Sequence, residues 1–344
     1  MNKWHPGGVG GTADVSKPKL HHYVPRFYLR GFADHNDRLA VRQRNGGAYV
    51  TSTKNVMARS GLYNVTSEPL TAEHTLGDIE SMASSALQIL RSGCLPSSTS
   101  TERKALTLYM GVQLSRNTDA FCLSEFVSRI TNRFGSFQVE MSDMRSYLTE
   151  AYGFKPPEHE IKAARDMAYI FGTGPGSIDE MRAIEVKMIF DTLDAAASLL
   201  EARSWSLESS KTESLITSDR PIVLWNPPSP EDDYRGVGAG DAEEIWFPID
   251  RSRILTLRRG GPEEIRRIGP ERVAFVNQHI ARHCTERIVS HPAMSDVLNG
   301  LDLAKRRPTL RFGSGPLVDR DSGRKLNDEI LQAWRPIRDI PDGR

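Results

Sequence analysis

The 344-residue chain has few cysteines, and their number and spacing exclude two common kinds of site. Cys94, Cys122 and Cys284 are odd in number and lie far apart. Neither a disulfide framework nor a zinc site built from paired thiolates is therefore expected. Reduced thiols are typical of the cytoplasm, which is the location that the sequence predicts.

Long apolar runs and net charge are also lacking. No stretch approaches the roughly 20 apolar residues of a membrane helix, and the N-terminus has no apolar signal core, so no membrane partner is expected. The formal net charge of +1 excludes a chain that is basic throughout but leaves room for a local basic patch that contacts nucleic acid. Dinucleotide-binding, Walker, metalloprotease and serine-hydrolase motifs are absent from the sequence.

Composition along the chain predicts one folded domain between two irregular ends. Residues 1–19 are rich in glycine and poor in apolar anchors, which predicts a flexible leader, and residues 306–344 read as an irregular basic tail. Residues 20–305 are predicted to form a single α+β domain. We expect it to be predominantly helical, with a small N-terminal hairpin and a C-terminal antiparallel sheet.

Hydrophobic spacing predicts the individual elements of this domain. The predicted helices are Glu73–Arg91, Glu102–Asn117, Ala120–Phe134, Ser142–Tyr152, Pro157–Ile170, Ile178–Arg203 and a last helix from Pro270 to about Val289. The predicted strands include Gly61–Val65, Trp205–Leu207, Ser214–Thr217, Ile222–Trp225, Glu244–Phe247 and Ile254–Leu257. Strands thus lie on both sides of a helical block, which is typical of α+β proteins rather than of regular βαβ alternation.

The most unusual segment is His21–Phe32, which reads HHYVPRFYLRGF. Adjacent histidines offer proton-transfer groups and metal ligands, whereas the aromatic and aliphatic residues around them are typical of a core. Side chains alternate in direction along an extended chain, so one of His21 and His22 is expected to enter a shared site. We expect that residue to be His22.

Helical wheels place further polar side chains on otherwise apolar faces. Glu80, Gln113, Arg116 and Asn277 all fall on such faces. A buried arginine requires a carboxylate, a phosphate or several carbonyl groups. Three of them also have a structural interpretation: Glu80 as a rim carboxylate or in an ion pair, Arg116 in an ion pair with Glu80 or Asp219, and Asn277 in hydrogen bonds to a strand or loop backbone.

The segment His21–Phe32 resembles the opening signature of DUF4238, a bacterial family of unknown function with the pattern HHYVPxFYLxxF. The resemblance extends over about residues 20–292. It is carried further by the helix with Glu80, Gln113-x-x-Arg116, Ser218-Asp219-x-Pro221, Phe247-Pro248 and the late helix with Asn277. Arg220 departs from the pattern, which has asparagine there. The resemblance implies that these residues share a site, but it brings no activity with it.

Together the segment, the wheels and the turn after a strand at Asp219 predict one polar site. The predicted catalytic residues are His22, His21, Glu80, Arg116 and Asp219. The predicted substrate-binding residues are Gln113, Asn277, Arg26 and Tyr23. Glu80, Asp219 and His22 are predicted to hold a divalent metal ion, Mg or Mn.

This residue set predicts hydrolysis of a phosphodiester in nucleic acid, in a phage-defence or toxin setting. A histidine acts as general acid or base, carboxylates bind the metal or orient water, and Arg116 stabilises the phosphate charge. The alternative is a module without catalytic activity that binds an anionic small molecule or nucleotide, or a protein-interaction domain. A purely structural polar network is the third interpretation. The sequence is compatible with a homo-oligomer.

Overall fold

The computed structural model describes residues 20–60, 71–116, 122–152, 155–173, 178–227 and 237–303. The predicted leader at 1–19, the predicted strand Gly61–Val65 and the predicted tail at 306–344 lie outside the described residues. Helices and strands are both abundant in the described part, and the strands form antiparallel and mixed sheets. The mixed α+β class is therefore confirmed.

The N-terminal segment forms a strand followed by a short helix. Strand β1 (Leu20–His22) pairs antiparallel with β4 (Ala58–Ser60), so that His21 lies opposite Arg59 in the register. Pro25 precedes helix α1 (Arg26–Leu29), which continues into a 3₁₀ turn at Arg30–Phe32. Because four residues are too few for a stable isolated helix, α1 depends on the core around it.

The helical block follows in the order α2 (Thr71–Arg91), α3 (Thr101–Ser115), α4 (Cys122–Phe134), α5 (Met141–Tyr152), α6 (Glu158–Thr173), α7 (Ile178–Asp191) and α8 (Leu193–Glu201). Helix α3 packs against both α2 and α8. The Ser100 hydroxyl caps α3 by accepting a hydrogen bond from the Arg103 amide at 3.2 Å. Helices α4 to α7 enclose a smaller core of their own around Val127, Ile130 and Ile161.

The prediction of one continuous helix over Ile178–Arg203 is wrong. The helix is interrupted at Thr192, which separates α7 from α8. The Thr192 hydroxyl donates to the Met188 carbonyl at 3.1 Å, a local side-chain hydrogen bond of the kind that competes with the helical backbone. Apolar spacing continues through this point, which is why periodicity does not reveal the break.

The strands are β2 (Arg38–Gln43), β3 (Ala48–Ser52), β5 (Ser204–Ser209), β6 (Thr217–Ser218), β7 (Val223–Trp225), β8 (Glu244–Asp250), β9 (Arg253–Arg258), β10 (Glu264–Arg267) and β11 (Arg287–Ser290). The larger sheet has the order β10-β5-β9-β8-β7, and β10 runs parallel to β5. The hairpin of β2 and β3 continues into a second sheet of order β3-β2-β11-β6. The N-terminal hairpin thus shares its sheet with strands from the C-terminal half.

The last long helix is shorter than predicted. Helix α9 (Pro270–His283) ends at Cys284, whose backbone is extended, and residues Arg287–Ser290 form β11 beside β2. Ile288 and Val289 are β-branched and suit a strand. Their pairing with β2 outweighs the helical spacing of the apolar residues in this segment. A 3₁₀ turn at Pro292–Met294 and helix α10 (Ser295–Asn299) follow. Among the described helices, none has the length and apolar character needed to cross a membrane.

Candidate functional site

A cavity of about 370 Å³ lies where β1 and α1 meet α2 and the end of α3. This volume falls within the range of small-molecule sites, near its lower end. The polar residues that line it are His21, His22, Arg26, Glu73, Glu80 and Arg116. The apolar part of the lining comes from Leu20, Pro25, Phe27 and Leu76, with Gly77. Two imidazoles, two guanidinium groups and two carboxylates therefore surround a space the size of a single small ligand.

His21 is buried against the first turns of α2. Its Nε2 lies 3.3 Å from Glu73 Oε1, and its side chain is 2% exposed. Burial lowers the pKa of His21, the Glu73 carboxylate opposes that shift, and Arg116 adds to it. The buried His21 thus forms an acid–base pair with the partly exposed Glu73 at the cavity.

His22 is more accessible, and its neutral ring has a defined tautomer. Its Nε2 lies 3.3 Å from the Thr53 carbonyl oxygen, which only accepts hydrogen bonds. Nε2 therefore carries the proton, and Nδ1 is the acceptor of the neutral ring. Burial lowers the pKa of His22, and Arg26 and Arg116 lower it further, so the neutral form is favoured at pH 7.

Arg116 connects the motif segment to α2. It follows the last turn of α3, is 5% exposed, and donates hydrogen bonds from Nη1 to Glu80 Oε1 and from Nη2 to the His22 carbonyl. A buried guanidinium needs such partners, because an unpaired buried charge is strongly destabilising. The same contacts fix the main chain of His22 beside the cavity.

Arg26 reaches the cavity from the first turn of α1. Its Nη2 donates to Asp37 Oδ2 at 2.7 Å and its Nε donates to the Thr53 hydroxyl at 3.3 Å. The Thr53 hydroxyl in turn donates to Asp37 at 2.8 Å. Since Thr53 also accepts from His22 through its carbonyl, Arg26 and His22 are positioned by the same residue.

Asp219 lies elsewhere, in a structural arrangement at the start of β11. Its Oδ1 accepts from the Thr285 amide at 2.7 Å, and its Oδ2 accepts from the amides of Glu286 and Arg287 at 2.6 and 3.1 Å. Burial raises its pKa to about 6, although the three amides favour the charged form. Asp219 is not among the described residues that line the cavity, whereas Glu80 and His22 are.

Asn277 and Tyr23 also serve the fold. The Asn277 side chain donates to the Ser214 carbonyl at 2.8 Å and accepts from the Ile216 amide at 3.1 Å, so both of its polar atoms bind one loop backbone. The Tyr23 amide donates to the Met57 carbonyl at 3.0 Å, and its side chain is buried. Asp219 contributes to a raised pKa of the Tyr23 phenol, after burial. Neither residue lines the cavity.

Gln113 is buried in α3, one turn before Arg116, with 3% exposure. Both of its side-chain polar atoms lack a hydrogen-bond partner within the described chain. An unsatisfied buried amide of this kind is rare in native proteins.

The predicted metal site finds little support in the arrangement of its ligands. Across the described ranges, no group of three or more His, Cys, Asp or Glu side chains is placed to hold a metal ion. Glu80 pairs with Arg116, and the carboxylate of Asp219 is engaged by the three amides. Binding of Mg or Mn therefore stays a prediction.

Five of the residues proposed from sequence meet at the cavity: His21, His22, Arg26, Glu80 and Arg116. Glu73 is the residue that the proposed set lacks. It lies seven residues before Glu80 on the same edge of α2, and that spacing is the feature that could have identified it. The sequence predicts three further site residues that do not line the cavity: Asp219, Asn277 and Tyr23. The position of a polar residue in the sequence does not show which groups its side chain contacts.

The chain is thus an α+β protein in which the histidine segment, α2 and the end of α3 line a small polar cavity. A family model described as "Protein of unknown function (DUF4238)" matches residues 20–294, and the chain belongs to that family. The matched range contains every residue that lines the cavity. No curated protein and no solved structure matches the chain.

Proposed function

We propose that the cavity is the active site of a phosphodiester hydrolase that takes one nucleotide unit of a nucleic acid at a time. The observation that supports this most is the meeting of His22 with Arg26 and Arg116 in a space of about 370 Å³. An imidazole base that is neutral at pH 7 beside two guanidinium groups suits a phosphate ester. The volume suits a single nucleotide or an unpaired strand end rather than a duplex.

In the proposed reaction His22 is the general base. Its Nδ1 removes a proton from water, the water oxygen forms a bond to phosphorus, and the opposite phosphorus–oxygen ester bond breaks. The departing alkoxide takes a proton from solvent, and the His22 imidazolium later releases its own proton to solvent. Products are a phosphomonoester and an alcohol.

The other cavity residues support this base and the phosphate. Arg116 and Arg26 stabilise the negative charge that grows on the phosphoryl oxygens. Glu80 orients Arg116, and Thr53 holds the tautomer of His22. The proposal uses no metal held jointly by Glu80, Asp219 and His22, because the Asp219 carboxylate binds the amides before β11.

Hydrolysis by the purified full-length chain tests the proposal. The substrates are single-stranded RNA, single-stranded DNA and bis(p-nitrophenyl) phosphate, each with EDTA and with added Mg or Mn. We expect turnover that persists in EDTA and falls about 10²- to 10⁴-fold in His22→Gln, the contribution of a general base. The exposed His35 provides the matched control His35→Gln, which is expected to keep full activity.

Circular dichroism of both variants confirms that they are folded. Equal activity of His22→Gln and wild type would reject His22 as the base. Absence of turnover on all three substrates would reject hydrolysis altogether.

A specific observation favours a second function, binding without turnover. Both cavity carboxylates already pair with a basic group, Glu73 with His21 and Glu80 with Arg116. A nucleotide-binding module needs no free carboxylate. Calorimetric binding of a nucleoside monophosphate by a chain that shows no turnover would support this alternative and contradict the hydrolase. A phage-defence or toxin setting is proposed for the hydrolase and not for the binding module.

A further inference from the structure

Tyr109 and Gln113 carry polar groups that the fold buries without satisfying. Tyr109 is fully buried and Gln113 is 3% exposed. The Tyr109 hydroxyl and both polar atoms of the Gln113 amide have no hydrogen-bond partner among the residues described. Leaving such groups unpaired is unfavourable for folding, since each loses its hydrogen bonds to water. A position that keeps them is a candidate for binding something other than the protein.

Both residues share one strip of α3 with Arg116. At about 100° per residue, Gln113 and Arg116 lie within about 60° of each other and on either side of Tyr109. Arg116 reaches Glu80 and the His22 carbonyl from that strip. Burial and the Glu80 carboxylate both raise the pKa of the Tyr109 phenol, which places Glu80 within electrostatic range of it. The strip therefore faces the α2 side of the cavity.

Phe27 connects these groups with the cavity. It lines the cavity, is half-buried, and its ring lies 5.5 Å from the Tyr109 ring, tilted by 55°. The Tyr109 ring also contacts Phe247 on its other side. Phe27 therefore contacts both the cavity and the Tyr109 ring.

We propose that Tyr109 and Gln113 bind the uncharged hydrogen-bonding part of the cavity's ligand, the base of a nucleotide, while the phosphate stays with Arg26 and Arg116. This rests on the nucleotide ligand of the proposed function. An amide offers two donors and one acceptor, and a phenol adds one of each, which matches the mixed donor and acceptor edge of a base. The Phe27 ring is available to stack on the flat face of the base.

Removal of the unpaired hydroxyl distinguishes a binding role from a structural one. In Tyr109→Phe the apo protein is expected to have a melting temperature equal to or above that of wild type, because no hydrogen bond is lost. Tyr28 is the matched control. It is equally buried and stacks on the same Phe247, but its hydroxyl bonds to Thr217 at 2.7 Å and to the Pro248 carbonyl at 2.8 Å. Tyr28→Phe is therefore expected to melt at a lower temperature.

Calorimetry with the full chain then measures binding of ribose 5-phosphate and of the adenosine, guanosine, cytidine and uridine 5′-monophosphates. We expect wild type to bind at least one nucleotide more tightly than ribose 5-phosphate. Tyr109→Phe and Gln113→Met should each reduce that preference about fivefold, the factor that one neutral hydrogen bond contributes. Their affinity for ribose 5-phosphate should stay unchanged, and Tyr28→Phe should keep the full preference.

Four outcomes would overturn the inference. Nucleotides and ribose 5-phosphate bound equally by wild type would reject base recognition and leave the proposed function standing. A preference that survives in both variants would reject these two residues as its source. A lower melting temperature for Tyr109→Phe, comparable with that of Tyr28→Phe, would show that a buried water already satisfies the hydroxyl. If wild type binds none of the probes, the proposed function fails and the inference fails with it.

Discussion

His21 lies between two opposite charges, and the two charges move its pKa in opposite directions. Glu73 raises the pKa of His21 and Arg116 lowers it, while burial accounts for the net decrease. An imidazole in this position reports the electrostatics of the cavity wall without taking part in a reaction. The pair of charges therefore gives a test that needs no substrate.

Substitution of either neighbour should shift the titration of His21 in a defined direction. In Glu73→Gln the loss of the carboxylate lowers the pKa of His21 further, and in Arg116→Gln the loss of the guanidinium raises it. Proton–carbon NMR of the His21 ring against pH measures both shifts. Shifts of the same sign in the two variants would contradict the arrangement around His21.

The pH dependence of hydrolysis follows from His22. Because burial and two arginines lower its pKa below the ordinary value of 6.5, the ring is neutral and able to act as a base at pH 7. The rate is expected to reach half of its plateau value at a pH below 6.5, as the ring becomes protonated, and to fall further at lower pH. Arg26→Gln removes one of the two cations and should move this acid limb to higher pH, as a profile of kcat/KM against pH would measure. An acid limb that moves to lower pH would contradict the assigned base.

Asp219 is predicted to matter for stability rather than for chemistry. Asp219→Asn turns an NH₂ group toward backbone amides that need an acceptor, which should lower the free energy of unfolding by about 1–3 kcal/mol. Urea unfolding at pH 7 measures this loss. Activity per folded molecule should equal that of wild type, since the residue is outside the cavity. A stable but inactive Asp219→Asn would contradict this assignment.

The difference in unfolding free energy between wild type and Asp219→Asn has a defined pH dependence. The native pKa of Asp219 is about 6, above its ordinary value of 3.8, so the protonation-linked part of its contribution to stability is fully present below pH 3.8 and is lost as pH rises through 6, while the part due to its hydrogen bonds to the amides remains at pH 7. Asparagine does not titrate. The difference in unfolding free energy between wild type and Asp219→Asn should therefore widen as the pH is lowered from 7 toward 4.

At the scale of elements, the position of the histidine strand depends on how α1 is anchored. Arg91 at the end of α2 donates to the carbonyls of Phe27 and Tyr28 at 3.0–3.3 Å, which are carbonyls that a short helix leaves unpaired. A Cβ on Gly31 would lie 2.6 Å from the Ile249 carbonyl oxygen and 2.7 Å from Arg91 Nη2. Only glycine fits between α1, α2 and β8 without displacement.

Gly31→Ala should therefore destabilise the fold and loosen the cavity wall. We expect a loss of about 1–3 kcal/mol in the free energy of unfolding, the usual effect of overpacking. Gly47 provides the control, because a Cβ there meets no atom within 4 Å. Unfolding in urea compares the two variants. A Gly31→Ala protein as stable as Gly47→Ala would show that α1 can move away from β8 freely.

Elements with strong local patterns could be predicted from the sequence, and elements that depend on distant pairing could not. Helix α2 begins within two residues of its predicted start and ends at the predicted residue, because its apolar stripe is regular. Strand β11 was assigned to a helix, since Ile288 and Val289 fit both periodicities and only the pairing with β2 decides. Strand β1 was not predicted either, because its partner β4 lies some 40 residues away.

For the site, as for the elements, the sequence predicts local features and does not predict most long-range contacts. The structural interpretation of Arg116 was an ion pair with Glu80 or Asp219, because a buried arginine needs a partner, and the pair with Glu80 is the one that forms. The wheel also placed Asn277 on an inner face, but only the fold shows that its amide binds the backbone around Ser214. Periodicity reports that a polar side chain is buried, whereas its partner depends on tertiary structure.

For the whole molecule, the cavity joins the N-terminal segment with α2 and the end of α3, and Thr53, in a 3₁₀ turn at Thr53–Asn55, contacts the His22 ring. The matched family range covers all of these parts. Residues from so many elements converge only in the folded chain, so binding at the cavity should depend on the complete domain. Nucleic acid is the proposed partner and the cavity its proposed contact point, which needs no broad basic face and is compatible with the net charge of +1.

The most direct test of this account is NMR of the histidine rings in the full-length chain during titration with nucleoside 5′-monophosphates. Single His→Gln variants assign the signals. We predict that the signals of His21 and His22 shift in a saturable manner, while those of the exposed His35 and of His283 on α9 stay in place. Shifts confined to His35 or His283, or no saturable shift at all, would contradict a nucleotide site at the cavity.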